Sequence, residues 1–131
     1  DGGPASPASG QDGGEQEPDG PPPVETVTAR HILIAYKGAK RSEATRTREE
    51  ARKLAGEIHE KLRADPSRFA ELVRTHSDCD SRRHGGDLGS FSRGLMAPSF
   101  ERAAFALTEG EISAVIESPF GFHIIERREK E

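Results

Sequence analysis

The sequence predicts a single domain of the α+β class over residues 26–131, preceded by an acidic segment over residues 1–25. The first observation is the β-branched and aliphatic run TVTARHILIAY at 26–36, which is typical of a strand buried on both faces. The second is an apolar spacing of i, i+3 and i+4 in three segments, which predicts helices. The third is a set of short alternating runs, which predict strands. The predicted helices cover 47–64, 66–76 and 98–107, and the later strands cover 88–93, 113–117 and 122–128.

The N-terminal segment has a different composition from the rest of the chain. Residues 1–23 hold six of the nine prolines and six of the fourteen glycines, and their only hydrophobic residues are Ala5 and Ala8. Residues 1–25 carry six acids and no base. Such a segment cannot bury enough apolar surface to offset the entropy of ordering, so we predict a disordered acidic tail or linker.

Charge and hydropathy limit the classes of partner. The net charge is -4, and the residues after the acidic segment carry 17 acids against 19 bases, so no nucleic-acid partner is expected. No apolar run approaches the roughly 20 residues that span a bilayer, and we expect no membrane contact by the domain itself. The chain begins with Asp1, which leaves the compartment open, and we favour a bacterial envelope, reached through a missing N-terminal segment, over the cytoplasm. One cysteine cannot form an internal disulfide.

The first strand carries a histidine among apolar residues. Alternation places Ile32, Ile34 and Tyr36 on one face and His31 on the other. A lone histidine in such a strand is more often a hydrogen-bonded core residue than a functional one. A second histidine, His123, stands in the last predicted strand.

The stretch from residue 77 to residue 105 combines the only cysteine with glycines and apolar residues. Cys79 precedes Gly85 and Gly86, where positive φ makes a tight turn possible. A helix that begins near Pro98 then follows a glycine-flanked loop. The residues able to face one concavity are Cys79, Leu88, Met96 and Phe100.

Several kinds of site are compatible with these residue types. Cys79 with His31 or His123 could form a thiol nucleophile and its base, although no protease signature surrounds the cysteine. A zinc site is a second alternative, because three suitable ligands lie close in sequence: His76, Cys79 and His84. The glycine cluster lacks the pattern of a phosphate-binding loop. The basic loop after the first strand is either a solvated surface or an anion site formed by Lys37, Lys40 and Arg41.

Five segments in a fixed order resemble the parvulin-type peptidyl-prolyl cis-trans isomerases. They are RHILI, TRTREEA, FAELVRTHSDCDS, GGDLGSFSRGLMAPSFERAAFAL and GFHIIERR, and the resemblance covers about residues 27–129. It implies a parvulin-like fold of the FKBP-like superfold, in which a four-stranded, largely antiparallel sheet is surrounded by four helices. The implied order is β-α-α-α-β-α-β-β.

The resemblance also implies the site. It assigns catalytic roles to His31, Cys79, His123 and Ser118, and substrate-binding roles to Leu88, Met96, Phe100 and Phe120. The implied reaction is rotation about Xaa-Pro bonds, whose amide resonance sets a barrier of roughly 18–20 kcal/mol. Only contacts that favour the twisted amide over both planar forms accelerate it, so we expect non-covalent catalysis without a metal or a cofactor.

Two departures bear on the substrate. Ala35 stands where the branch that requires phospho-Ser/Thr has a lysine, and Phe120 stands where that branch has a serine. Lys40 and Arg41 fall near its paired arginines, in a shorter loop. We therefore expect a general isomerase with at most a mild preference for acidic or phosphorylated residues before proline. Its expected form is a monomer that acts on proline-containing peptides and on unfolded or partly folded proteins. The alternative is a chaperone-like peptide-binding module with weak or no isomerase activity.

Overall fold

The computed structural model describes residues 25–129, so residues 1–24 of the predicted disordered segment 1–25 lie outside the described residues. Four strands and three α-helices alternate along the chain. They are β1 (Thr26–Ile34), α1 (Arg48–Ala64), α2 (Phe69–His76), β2 (Asp87–Ser92), α3 (Pro98–Ala106), β3 (Ile116–Ser118) and β4 (Gly121–Arg128). Two 3-10 turns, Pro66–Arg68 and Asp80–His84, precede α2 and β2.

The four strands form one antiparallel sheet in the order β2-β1-β4-β3. The two central strands come from opposite ends of the chain, and β1 pairs with β4 from Thr28 opposite Arg128 to Ile34 opposite Phe122. This register places His123 opposite Leu33, two positions along β1 from His31. Because side chains two residues apart share a face, both imidazoles lie on the same side of the sheet.

The alternation of β1 and β4 divides the core into two layers. Ile32, Ile34 and Ile124 pack under α1 and α2, together with Phe69 and Leu72. On the other face, α3 covers a smaller cluster that consists of Val27, Ala29, Phe91, Phe100, Ala104, Leu107 and Ile125. The histidines belong to this second face, since the ring of Phe100 lies against both of them. The faces predicted for the first strand are thereby confirmed.

The predicted α+β class and the four-stranded antiparallel sheet are confirmed, with two local differences. The expected fourth helix is the 3-10 turn Asp80–His84, which ends at once because Gly85 adopts φ +68°. The predicted strand over 113–117 is shifted to Ile116–Ser118. Upstream of it the pairing with β4 is interrupted, since the Ser113 hydroxyl accepts the hydrogen bond from the backbone N–H of Ile125.

Helix α1 begins as its sequence predicts. Thr47 accepts a hydrogen bond from the backbone N–H of Glu50, whose carboxylate accepts one from the Thr47 N–H, and this reciprocal pair forms a capping box. None of the helices within residues 25–129 is long and apolar enough to cross a membrane.

Candidate active site

The centre of the site is a pair of buried imidazoles, here called the histidine pair. His31 and His123 are each 4% exposed, and their Nδ1 atoms lie 3.1 Å apart. The rings stack with centroids 5.2 Å apart and an interplanar angle of 20°. Such a short N–N distance requires one ring to donate and the other to accept.

Ser118 extends this contact into a chain of hydrogen bonds. Its Oγ lies 2.7 Å from His123 Nε2 and accepts a hydrogen bond from the Phe120 backbone N–H at 3.1 Å. The chain runs from Ser118 through His123 to His31, and the tautomers of the two imidazoles set which atom donates at each contact. His31 Nε2 is buried and has no hydrogen-bond partner within the described residues.

Burial keeps both imidazoles neutral. Loss of solvation lowers the pKa of His31 to about 4. Loss of solvation, followed by repulsion from a charged His31, lowers the pKa of His123 to about 3. At neutral pH the histidine pair is therefore uncharged and hydrogen-bonded. Neither ring is protonated to an imidazolium that could act as a general acid.

An apolar recess lies beside the histidine pair. Phe100 is 3% exposed, and its ring meets the edges of His31 and His123 at centroid distances of 5.5 and 5.1 Å. Leu88 and Met96 are half-buried and pack against the cluster that contains Phe100. The structure thus brings together the three residues predicted to hold a proline ring, and we call this group the apolar recess.

Cys79 lies at the start of the 3-10 turn. Its Sγ accepts a hydrogen bond from the Ser81 backbone N–H at 3.5 Å, and the thiol is half-buried. Among the described residues no imidazole hydrogen-bonds to this sulfur, whereas a thiol nucleophile needs a base in contact. The same part of the chain contains no group of three His, Cys, Asp or Glu residues arranged to hold a metal ion, so the zinc alternative has no support.

A glycine allows the turn to approach β1. The His31 backbone N–H donates to the Gly86 carbonyl at 3.0 Å, and the Gly86 N–H donates to the Ser81 carbonyl at 2.8 Å. Gly86 has φ +82°, and a Cβ atom there would lie 2.5 Å from the His31 carbonyl oxygen. Only glycine fits this approach, which places the turn that begins with Cys79 beside the histidine strand.

Two residues outside the predicted site, Asp78 and Arg46, join this turn to the end of β1. Asp78 Oδ2 accepts hydrogen bonds from the Ala35 N–H at 2.9 Å and from Arg46 Nη1 at 2.7 Å. Arg46 also donates to the Ala35 carbonyl at 2.9 Å. The available signals were the place of Asp78 next to the cysteine in SDCDS and that of Arg46 in the basic loop.

A cleft of about 550 Å³ opens next to Cys79. Lys40 and Phe120 stand at its edge, with the lysine Nζ 5.3 Å from the ring centroid and the Lys40 N–H donating to the Pro119 carbonyl at 2.9 Å. Lys37 is exposed and lies outside the cleft lining, in contrast to the other two predicted anion-binding residues. The lining consists of Leu33, Ala35, Lys40, Arg41, Ser42, Glu43, Ala44, Asp78, Cys79, Asp80, Arg82 and Phe120.

Comparison with known proteins identifies the family. A model of the rotamase family, described as a PPIC-type PPIase domain, matches residues 31–129. The peptidyl-prolyl cis-trans isomerase Pin1 of Digitalis lanata is 40% identical over 113 residues, which cover 79% of this chain and 96% of that protein. The foldase protein PrsA of Staphylococcus aureus (strain Newman) is 39% identical over 102 residues, which cover 77% of this chain and 32% of that protein. The solved structure of peptidyl-prolyl isomerase ESS1 from Candida albicans matches with a TM-score of 0.76 and 37% identity, over 79% of this chain and 63% of that one.

The fold and these matches define an enzyme of the peptidyl-prolyl cis-trans isomerase class. The chain belongs to the parvulin family and is a PPIC-type rotamase domain related to Pin1 and PrsA. The resemblance seen in the sequence is therefore confirmed, and the enzyme's substrates are proline-containing peptides. The roles of individual site residues stay predictions.

Proposed function

We propose that this domain isomerises Xaa-Pro bonds without a covalent intermediate, by stabilising the twisted amide on the histidine pair and the apolar recess. The observation that carries the proposal is the neutral, buried pair of His31 and His123 directly against Phe100. Twisting removes amide conjugation, which makes the carbonyl less polar and the nitrogen a better hydrogen-bond acceptor. A water-poor, uncharged surface favours this less polar state over the planar forms, and contacts of this selective kind raise the rate.

The geometry supports one placement of the substrate. The proline ring packs in the apolar recess of Leu88, Met96 and Phe100, because burial of an apolar ring there removes it from water. The amide then lies above the histidine pair and near Cys79. Ser118 acts as a positioning residue, since its Oγ lies 2.7 Å from His123 Nε2 and holds the orientation of that imidazole.

Cysteine variants test the non-covalent mechanism. Cys79→Ala removes the only thiol, and we expect kcat/KM for an Ala-Pro peptide to fall by about tenfold or less, because packing and polarity change while the recess and the histidine pair stay. Cys79→Ser serves as the control for size. Complete loss of isomerisation in both variants, combined with a thiol-linked substrate adduct detected by mass spectrometry, would overturn the proposal.

The residue before proline faces the cleft next to Cys79. Three cations line this cleft, Lys40, Arg41 and Arg82. Of the three acids there, Asp78 is neutralised by Arg46 at 2.7 Å, which leaves Asp80 and Glu43. The excess of positive charge is small and solvent-exposed, so the preference for an acidic or phosphorylated residue is mild.

Three peptides with Ala, Glu or phospho-Ser before proline measure this preference. We expect kcat/KM to rise by about tenfold or less from Ala to phospho-Ser, as for exposed charge pairs. Lys40→Ala combined with Arg41→Ala should abolish the rise, whereas Lys37→Ala, which removes an exposed lysine outside the lining, should retain it. A preference of about 1000-fold or more would contradict a general isomerase.

We also propose that unfolded and partly folded proteins are substrates and that the domain acts as a monomer. The cleft opens at the surface and Leu88 and Met96 of the apolar recess are partly exposed, which suits an extended chain, and a relative is named as a foldase. Acceleration of a proline-limited refolding reaction tests this, with the binding of a proline-free unfolded chain measured alongside. Binding of the proline-free chain without any isomerisation would instead favour the chaperone-like alternative.

A further inference from the structure

The described chain begins beside the apolar recess. Glu25 pairs with Arg93, with 3.1 Å between Oε1 and Nε, and Thr26 is opposite Ser92 in the sheet. Met96, which belongs to the apolar recess, follows Arg93 by three residues. Residues that precede Glu25 therefore leave the domain at the edge of its own candidate substrate site.

The segment upstream contains a suitable substrate. Residues 1–24 include six Xaa-Pro bonds, and Glu17-Pro18 is the one in which an acid precedes proline. An acid at that position matches the cleft of Lys40, Arg41 and Arg82, none of which forms an ion pair with any residue between 25 and 129. Residues 1–24 carry acids and no base, and the three cations of the lining outnumber its two acids that have no ion pair within residues 25–129, Glu43 and Asp80.

The chain length is sufficient. Pro18 precedes Glu25 by seven residues, which span at most about 25 Å. On the domain, Thr26 pairs with Ser92, and the four residues from Ser92 to Met96 span at most about 14 Å. The difference leaves slack for the chain to reverse.

An exposed leucine lies next to the apolar recess in the chain. Leu95, next to Met96, is 70% exposed and is the one large hydrophobic residue with such exposure in the described part of the chain. Its loop is held in place, because the Gly94 N–H donates to Glu101 Oε1 at 2.6 Å. The apolar residues just before Glu25 are Pro21, Pro22, Pro23 and Val24, and they would cover Leu95.

We propose that residues 17–24 bind the active site of their own chain, with Glu17 at the basic side of the cleft and Pro18 in the apolar recess. The acidic segment is then an intramolecular substrate and a competitor of external peptides. This inference rests on the proposed function, because it uses the same recess and the same cleft.

Exchange NMR on the full 131-residue chain tests the proposal. The cis-trans exchange of the Glu17-Pro18 bond should be at least about tenfold faster than in a synthetic peptide of residues 1–24, where isomerisation takes tens to hundreds of seconds. The rate should stay constant on dilution and fall when an external Ala-Pro peptide is added in excess. Glu17→Lys should slow exchange at Pro18 by about fivefold, the size of one exposed ion pair, while the matched Asp12→Lys should not.

The external peptide in the same sample distinguishes failure of the intramolecular proposal from failure of the proposed function. If it is isomerised while the Glu17-Pro18 bond exchanges no faster than in the synthetic peptide, the intramolecular proposal is wrong and the proposed function stands. If it is not isomerised, the proposed function fails. Exchange at Pro18 that increases in proportion to protein concentration, or equal acceleration at Ser6-Pro7, would also overturn intramolecular docking.

Discussion

Replacement of Gly86 by alanine tests how the turn that begins with Cys79 is held against β1. The new Cβ atom would lie 2.5 Å from the His31 carbonyl oxygen and 3.0 Å from Val73 Cγ2. Neither the strand nor the turn can accept this contact without moving, because the His31 N–H is bonded to the Gly86 carbonyl at 3.0 Å. We expect the turn to separate from His31.

The size of the effect follows from two contributions. Alanine at φ +82° costs about 1–2 kcal/mol, and displacement of packed backbone adds about 1–3 kcal/mol. Gly85→Ala is the matched control, since Gly85 has φ +68° and a Cβ there meets nothing within 4 Å. It should therefore lose only the first contribution.

Urea unfolding of both variants, followed by coupled isomerase assays, measures the difference. Gly86→Ala should be less stable than Gly85→Ala by about 1–3 kcal/mol. Its kcat/KM should be lower by about 10- to 100-fold, because small displacements of catalytic groups are costly. Equal stability and equal activity of the two variants would refute the argument that close approach of the turn to His31 requires a glycine.

Three further changes probe the histidine pair and the cleft. Ser118→Ala leaves His123 Nε2 and a backbone N–H without their partner, and should cost about 1–3 kcal/mol in urea unfolding, whereas Ser118→Thr keeps the hydroxyl and costs less. The folded pKa values of His31 and His123, about 4 and about 3, lie below the ordinary 6.5, so the unfolded chain takes up protons first on acidification. Stability should be fully present above about pH 6.5 and should fall toward pH 5 by up to about 1.4 kcal/mol per histidine per pH unit. Ala35→Lys places a cation in the cleft lining and should raise the ratio of rates for phospho-Ser over Ala before proline.

Each of these expectations has a control. A Ser118→Thr variant that lost as much stability as Ser118→Ala would show that the hydroxyl of Ser118 does not account for the loss of stability. His84→Gln, which changes an exposed histidine, should leave the acid dependence between pH 6.5 and 5 as it is. A free energy of unfolding that stayed constant between pH 6.5 and 5 would contradict a neutral pair. The control for Ala35→Lys is Ala35→Met, in which the side chain has a similar length and no charge. It should leave the ratio of rates for phospho-Ser over Ala unchanged.

The local sequence pattern was sufficient to predict most of the fold. The alternation in β1 predicted that Ile32 and His31 face opposite layers, and the Thr47 and Glu50 pair predicted the start of α1. These features depend on residues within one turn or one strand of each other, so side-chain period and backbone capping determine them. The predicted strand at 113–117 is shifted to Ile116–Ser118, and at its start the Ser113 hydroxyl takes the place of a backbone carbonyl as the acceptor for the Ile125 N–H.

The site required the tertiary structure, because its contacts join residues far apart in sequence. The resemblance named His31, His123 and Ser118, but the 3.1 Å contact between the imidazoles depends on the register between two strands from opposite ends of the chain. Cations of the basic loop look alike in sequence. Only the fold shows that Asp78 pairs with Arg46 and that Lys40 lines the cleft whereas Lys37 does not, since charge pairing is decided by which loops meet.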